Sequence, residues 1–285
     1  MMFPVERMCK VMGVSSSGYY KWIGKKPSKR EVRRQMLSKE IKVVYEKSKQ
    51  RYGSPRITME LNKNNIAASQ PFVAKIMRIE KIRSIIKRKF KATTDSSHSY
   101  PVAENKLMRN FRVNRSNEVW VSDITYVSTA EGWVYLTTVI DLFDRKVIGW
   151  ALSDRMYARQ TTIPAFKMAL MNRPVDREKK LIFHSDRGVQ YACNDFVNEI
   201  NKLTNIERSM SRKGNCWDNA VAESFFKTLK TELIYQNRYE TRKEAGLSIF
   251  EYIEVDYNQN RRHKHLNQLT ITEFNQSINN LTNAA

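Results

Sequence analysis

The sequence predicts an α/β protein: a mixed five-stranded sheet in the order βββαβαβα, preceded by a basic helical region of helix-turn-helix plan. Three observations carry this. Residues 1–115 hold 28 basic and 8 acidic side chains, whereas residues 116–285 hold 22 and 21, so the overall charge of +21 sits almost wholly in the front of the chain. Apolar residues recur at helical spacing up to about residue 90 and in strand-like runs from residue 116. Three strands in succession, then strand–helix alternation, is the pattern of a mixed sheet with helices on its faces.

The elements follow in order. Residues 1–24 read as a short helical lead-in ending at Gly18-Tyr19-Tyr20. Val32, Met36, Leu37, Ile41, Val44 and Tyr45 give a helix over Glu31–Glu46, which breaks at Tyr52-Gly53-Ser54-Pro55. A second helix is expected from Pro55 to Asn62, closed by an Asn64-Asn65 turn because Asn tolerates the left-handed conformation. Ser69 and Pro71 then open a third helix as N-cap and first-turn proline. It carries Phe72, Val73, Ile76 and Met77 inward, with Lys75 and Arg78 as outward candidate DNA contacts. Helix, turn and basic helix is the helix-turn-helix plan. Residues 91–115, polar and interrupted by Pro101, read as a linker. Strands follow at Val119–Val127, Trp133–Ile140 and Lys146–Leu152, then a helix at Arg159–Met171. A strand at Lys180–His184, a helix at Asn194–Leu203, a strand at Ile206–Met210 and a long helix at Asn219–Tyr235 complete the core. The domains expected are therefore 1–90 basic and helical, 91–115 linker, 116–235 the α/β core and 236–285 a polar helical extension without a core of its own.

Composition removes several classes. Apolar residues make up 41% of the 285, which suits a folded protein with a sizeable core. No apolar run is long enough to span a bilayer. The first ten residues lack the apolar core of a signal peptide, so a cytoplasmic protein is expected. Cys9, Cys193 and Cys216 are scattered and form no CxxC pair, which argues against a disulfide framework or a zinc knuckle.

Three acids stand out by context. Asp123 interrupts an apolar strand, where a lone carboxylate is costly unless paired or bound to a cation. Asp186 follows directly on the fourth strand, a position where α/β sheets gather ligand groups. Glu223 lies near the start of the long helix, with Lys227 and Lys230 at i+4 and i+7 on the same face. Carboxylates are the ligands that magnesium prefers, and two such ions can serve a phosphoryl transfer. The ordinary reading of each acid is a hydrogen-bond acceptor or a solvated helix face. Asp141 and Asp144, in DLFDRKVIGW at another strand end, compete as ligands or are turn acids. Periodicity does not choose between them. His184 is within reach of the same site but reads more readily as structural.

The strings WVSDITYV, DLFDRKVIGWAL, HSDRGVQYA, SMSRKGNCWDNAVAESFFKTLKTE and YNQNRRHKHLN occur in this order. So arranged, they resemble the second-frame (OrfB) catalytic protein of IS-three-type insertion sequences, within the DDE transposase and retroviral integrase superfamily. CKVMGVSSSGYYKW and YGSPRIT resemble that family's N-terminal region, so the likeness covers nearly the whole chain. The resemblance implies an RNase H-like fold for the βββαβαβα order. It implies that Asp123, Asp186 and Glu223 form the metal-binding triad for two magnesium ions, with manganese as a substitute. Lys230 matches a family position that contacts the element's ends, and Lys227, Arg212 and Lys213 are further candidate DNA contacts. Asp141 and Asp144 match a family motif outside the triad.

The implied activity is cleavage and strand transfer at terminal inverted repeats, with target DNA as second substrate. The implied partner is the first-frame (OrfA) helix-turn-helix and leucine-zipper protein or its frameshift fusion, and the absence of a heptad run here suits a downstream half. Joining two DNA ends calls for a homo-oligomer. The alternatives are a DNA-binding remnant or repressor without catalysis, and a nuclease of the same fold acting on RNA–DNA hybrids. There are two departures. One residue more than the family spacing separates Asp186 from Glu223, expected near Lys202–Asn205, and Thr270-Ile271 stands where the family has Thr-Pro.

Overall fold

Strand β1 (Val119–Thr129) carries apolar side chains on both faces, and in the computed structural model, which describes residues 4–85 and 99–283, it is the central strand. Strands β2 (Gly132–Asp141) and β3 (Val147–Ser153) continue from it as an antiparallel meander. On the other side β4 (Leu181–Ser185) and β5 (Ile206–Met210) pair parallel, giving the order β3-β2-β1-β4-β5. The fold is thus the mixed, RNase H-like sheet that the sequence predicts.

Alternation along β1 divides the interior. Val119, Val121 and Val127 enter one core, and Trp120 enters the other. The Trp120 face is covered by α6 (Thr162–Asn172), the single-turn α7 (Val189–Ala192) and α8 (Asn194–Ile200). Gly149 on β3 is required here, because a Cβ would stand 2.1 Å from the Ala165 carbonyl oxygen of α6. The Val121 face is covered by α9 (Ala220–Glu232) and α10 (Arg242–Glu251). A π-helical stretch, Tyr252–Asn260, follows, and the chain closes with α11 (Ile271–Asn283).

The polar C-terminal segment contributes to this core rather than standing apart. Tyr239, Ala245, Ile249, Tyr252, Ile253, Tyr257, Leu266 and Ile271 are all buried with the α9 residues Phe225 and Leu229. Arg261 and Glu232 form a partly buried ion pair at 2.8 Å that ties the segment to the end of α9. Of the stretch read as a linker, residues 91–98 lie outside the described residues. Residues 99–115 pack on the sheet: Leu107 is buried, and the backbone N–H groups of Lys106 and Leu107 donate to Ser209 Oγ at 2.9 and 3.3 Å. Proline and polar residues there signal irregular backbone, not absence of packing.

The chain divides after Ser84 into two compact units. The first contains two short helices, α1 (Val5–Val11) and α2 (Ser16–Ile23), and then α3 (Lys29–Lys47), α4 (Ser54–Lys63) and α5 (Gln70–Ile79). The last three surround Leu37, Ile41, Ile57, Leu61, Val73 and Ile76. Asn65 takes the expected left-handed conformation, at φ 60°. Among the described residues no helix is long and apolar enough to cross a membrane.

Candidate active site

Register brings the first two acids together. Ser122 of β1 stands opposite Ser185 of the parallel strand β4, so the next residues, Asp123 and Asp186, follow side by side as β4 ends. Asp186 leaves the strand in a tight turn in which its Oδ1 accepts from the Gly188 N–H at 2.9 Å. Asp123, partly buried, accepts from the Ile124 N–H at 2.8 Å. The third acid arrives on α9, which packs on the Val121 face of β1, the face that Asp123 shares by alternation. Asn219, immediately before α9, donates from its side-chain amide to the Ser122 carbonyl at 2.9 Å. That bond anchors the helix start beside Asp123, and Glu223 lies in the first turn.

Electrostatics report the same proximity. Burial first, then Asp186 and Glu223, push the Asp123 carboxyl well above its ordinary range, with Lys230 opposing. Burial and then Asp186 also raise Glu223. Beneath the pair, Tyr191 is fully buried and its hydroxyl lies 2.7 Å from Ser122 Oγ. Burial, then Asp123 and Asp186, drive that phenol well above its usual value. Among the described residues no three His, Cys, Asp or Glu side chains converge into a ready-made cation cage. The donor set nonetheless fits a hard divalent ion. It consists of carboxylates held together with mutual repulsion, opposed at Asp123 by Lys230, a lysine that is itself poorly solvated.

The competing acids are accounted for. Asp141 and Asp144 are buried and share the Arg173 guanidinium, each at 2.7 Å. Asp141 also accepts from the Asn117 N–H at 2.9 Å and the Trp120 indole at 3.3 Å. Asp144 accepts from Asn275 at 3.1 Å. For Asp141 burial prevails and its carboxyl stays raised; for Asp144 burial is outweighed by Arg173 and the carboxyl is lowered. Asp141 pairs with Trp120 in the register, three residues from Asp123. Their role is to close the β2–β3 turn. His184 is likewise structural: buried between Ser209 and Ser211 at 2.8 and 3.2 Å, it is pushed down to about 4 by burial and stays neutral.

The basic candidates separate. Lys227 is exposed, as are Lys213, Lys75 and Arg78. Lys230 is 7% exposed, with its Nζ 5.1 Å from the centre of the Tyr126 ring. Burial lowers its pKa while Asp123 opposes. The two lysines that the sequence places on one face with Glu223 thus differ in exposure. Seven residues return to within about 20° of Glu223 around a helix, whereas four drift about 40° away. Because that face lies on the sheet, Lys230 is buried near Asp123 and Lys227 stays exposed. Arg212 is half exposed, but its guanidinium is held bidentate by Asp218, with both contacts at 2.9 Å.

Asp218 escaped the sequence reading. It is fully buried and also accepts from Arg109 at 2.8 Å and Asn105 at 2.9 Å. Arg212 first among these holds its carboxyl far below the usual range. It fastens the segment before α9 to the arm at 105–109. An Asp just ahead of a helix reads as a cap, which hides such a role.

Known proteins bear on this geometry. Two models described as an integrase core domain match residues 113–216 and 204–270, and one described as an HTH-like domain matches 31–90. The insertion element IS600 uncharacterized 31 kDa protein of Shigella sonnei is 41% identical over 275 residues, covering 96% of this chain and 99% of that one. Transposase InsF for insertion sequence IS3A of Escherichia coli K12 is 40% identical over 274 residues, covering 95% and 94%. The HTLV-2 integrase catalytic core domain in complex with magnesium aligns at 16% identity and a TM-score of 0.43, covering 57% of this chain and 99% of that one.

Proposed function

The chain belongs to the IS3 family of insertion-sequence transposases, and on that premise we propose that Asp123, Asp186 and Glu223 are the metal ligands of its active site. It is a DNA-cleaving and strand-transferring enzyme. The observation that carries the site assignment is the β1–β4 register together with the Asn219–Ser122 bond, which gather these acids while Arg173 retains Asp141 and Asp144. The three carboxylates would hold two magnesium ions, or manganese in their place. When bound, such ions supply activation of an attacking oxygen and charge neutralisation on a leaving one.

Water attacks the phosphodiester at the element's end and frees a 3′-hydroxyl, which attacks a second phosphodiester, breaks its bond to the 3′-oxygen that leaves as a free hydroxyl, and joins the strands. No side chain forms a covalent bond to DNA, so no serine or tyrosine nucleophile is required. Asp123 and Asp186 fix the ligand positions from the rigid sheet, and Glu223 completes them from α9. Lys230 balances charge beside Asp123 and faces the phosphate that enters there. Lys227, exposed, contacts the backbone, as do Lys213, Lys75 and Arg78, while Arg212 acts through Asp218. The substrates are the terminal inverted repeats and target DNA. The working assembly is a homo-oligomer on DNA in the bacterial cytoplasm, at the nucleoid, joined by the first-frame protein or fused to it.

A strand-joining assay tests this. Purified protein, with its first-frame partner, is mixed with inverted-repeat duplex and magnesium or manganese. Joined product is expected from wild type and a loss of at least a hundredfold from Asp123→Asn, whereas Asp144→Asn, if folded, retains joining. Equal joining by wild type and Asp123→Asn sinks the triad. Binding of the ends without cleavage by either form favours the remnant reading, and cleavage confined to RNA–DNA hybrids favours the nuclease.

A further inference from the structure

Residues 4–23 precede the region matched as HTH-like, 31–90, and are not needed to explain the catalytic site. They nevertheless carry the tighter helix-turn-helix geometry. Between α1 and α2 lie four residues, Met12 to Ser15, with Gly13 in the left-handed region at φ +66°. Three or four residues including a glycine is the turn length of DNA-reading helix pairs. The turn between α4 and α5 is longer, running from Asn64 to Ser69. Ser15 caps α2 by accepting from the Gly18 N–H at 3.3 Å.

The surface of this hairpin suits nucleic acid. Between Pro4 and Lys26 there are five basic side chains and one acidic. Ser17, Tyr20 and Lys21, at i, i+3 and i+4, form one exposed stripe along α2, and Tyr20 is 55% exposed. Hydroxyl, phenol and ammonium groups are those that donate to phosphate oxygens and base edges. Among the described residues of the two helices only Cys9 is buried. Helices of seven and eight residues with so little interior are marginal in water and gain order from what they bind. The hairpin also exposes Trp22 at 71% and Val11 at 82%, so a protein partner is the rival occupant. The charge excess decides for DNA.

We propose that α1–α2 is a second DNA-reading module, separate from α3–α5, that lays the Ser17, Tyr20 and Lys21 face of α2 against duplex DNA. This rests on the reading of the chain as a transposase, and the experiment keeps the two apart. In the full-length protein a photocrosslinking amino acid is placed at Tyr20 and, separately, at Lys75 on α5, with the duplex that flanks the protein's own gene as probe. Adducts to DNA are expected from both positions and at different places on the duplex. The double variant Tyr20→Ala/Lys21→Ala is expected to bind that duplex about tenfold more weakly, with the salt dependence of log K reduced by about one unit per lost phosphate contact. Lys21→Arg with Tyr20 intact should keep most of the binding, whereas Tyr20→Phe, which keeps the ring but not the hydroxyl donor, should lose part of it, which separates lost contacts from lost folding. Crosslinking from Lys75 but not Tyr20, with wild-type affinity in the double variant, overturns the proposal and leaves the transposase reading standing. A protein–protein adduct from Tyr20 in place of the DNA adduct overturns it in favour of a protein interface. Failure of both positions to reach DNA overturns the proposal and the DNA-binding reading of the helical unit together.

Discussion

Asp123, proposed as a metal ligand, sits where its negative charge opposes folding. Its carboxyl sits partly buried beside Asp186 and Glu223, and burial with their repulsion raises its pKa well above 3.8. A raised folded value means that the contribution of Asp123 to stability is fully present below its unfolded value near 3.8 and is lost as pH rises through the folded value. Asp123→Asn should therefore stabilise the metal-free protein at neutral pH, by about 1–2 kcal/mol, or roughly 2–8 °C in melting temperature. That gain should shrink on acidification. Magnesium should raise the melting temperature of wild type and leave the variant unmoved. A variant that melts below wild type at pH 7 would show that the carboxylate is a structural acceptor. Asp141 and Asp144 make the contrast: equally acidic in the sequence and more deeply buried, they are compensated by Arg173, which turns them into a turn clamp. Sequence pattern alone left these acids as rivals, because a carboxylate's partner is set by side chains distant along the chain.

At the level of elements, the start of α9 does the positioning. Two residues fix it: Asn219 through the Ser122 carbonyl, and Asp218 through Arg109, Arg212 and Asn105. Asn219→Ala keeps every proposed ligand but releases the helix start from β1. Strand joining should fall about tenfold or more, since small displacements of a catalytic group are costly. The apparent magnesium requirement should rise, while the melting temperature drops only a few degrees. Joining at the wild-type rate and magnesium concentration would remove Asn219 from this role. The strands and the main helices were legible in the sequence to within a few residues, because apolar alternation and 3.6-residue spacing are local signals. The single turn α7 and the π-helical stretch Tyr252–Asn260 were not, as neither has a distinctive periodicity. The Thr270-Ile271 departure has a simple physical account. Thr270 and Glu273 exchange capping hydrogen bonds at 2.9 and 3.1 Å, and the residue after the cap is a site where proline and isoleucine both fit.

Across the whole molecule, the catalytic unit is closed by segments that look dispensable. The arm at 103–111 fastens to β5 and Asp218, and the C-terminal segment supplies much of the core under α9. Ending the chain after Gln236 would expose Phe225 and Leu229 and leave Glu232 without Arg261. Such a truncation should lose the cooperative thermal transition of the catalytic unit, not merely its activity, and a calorimetric scan checks this. A truncated protein that still melts cooperatively would mean that the segment is an appendage. What the sequence by itself determined was the class of fold, the succession of strands and helices along the chain and the segregation of charge, and, through its resemblance to a family, which acids to propose. These rest on local periodicity, composition and motif strings, which need no partner to be read. The tertiary structure decided which acids Arg173 retains, that Lys230 turns inward while Lys227 stays exposed, and that the ends of the catalytic unit belong to its core. Each of those depends on groups distant in sequence meeting across the sheet, where burial and charge pairing, rather than spacing, determine what a side chain does.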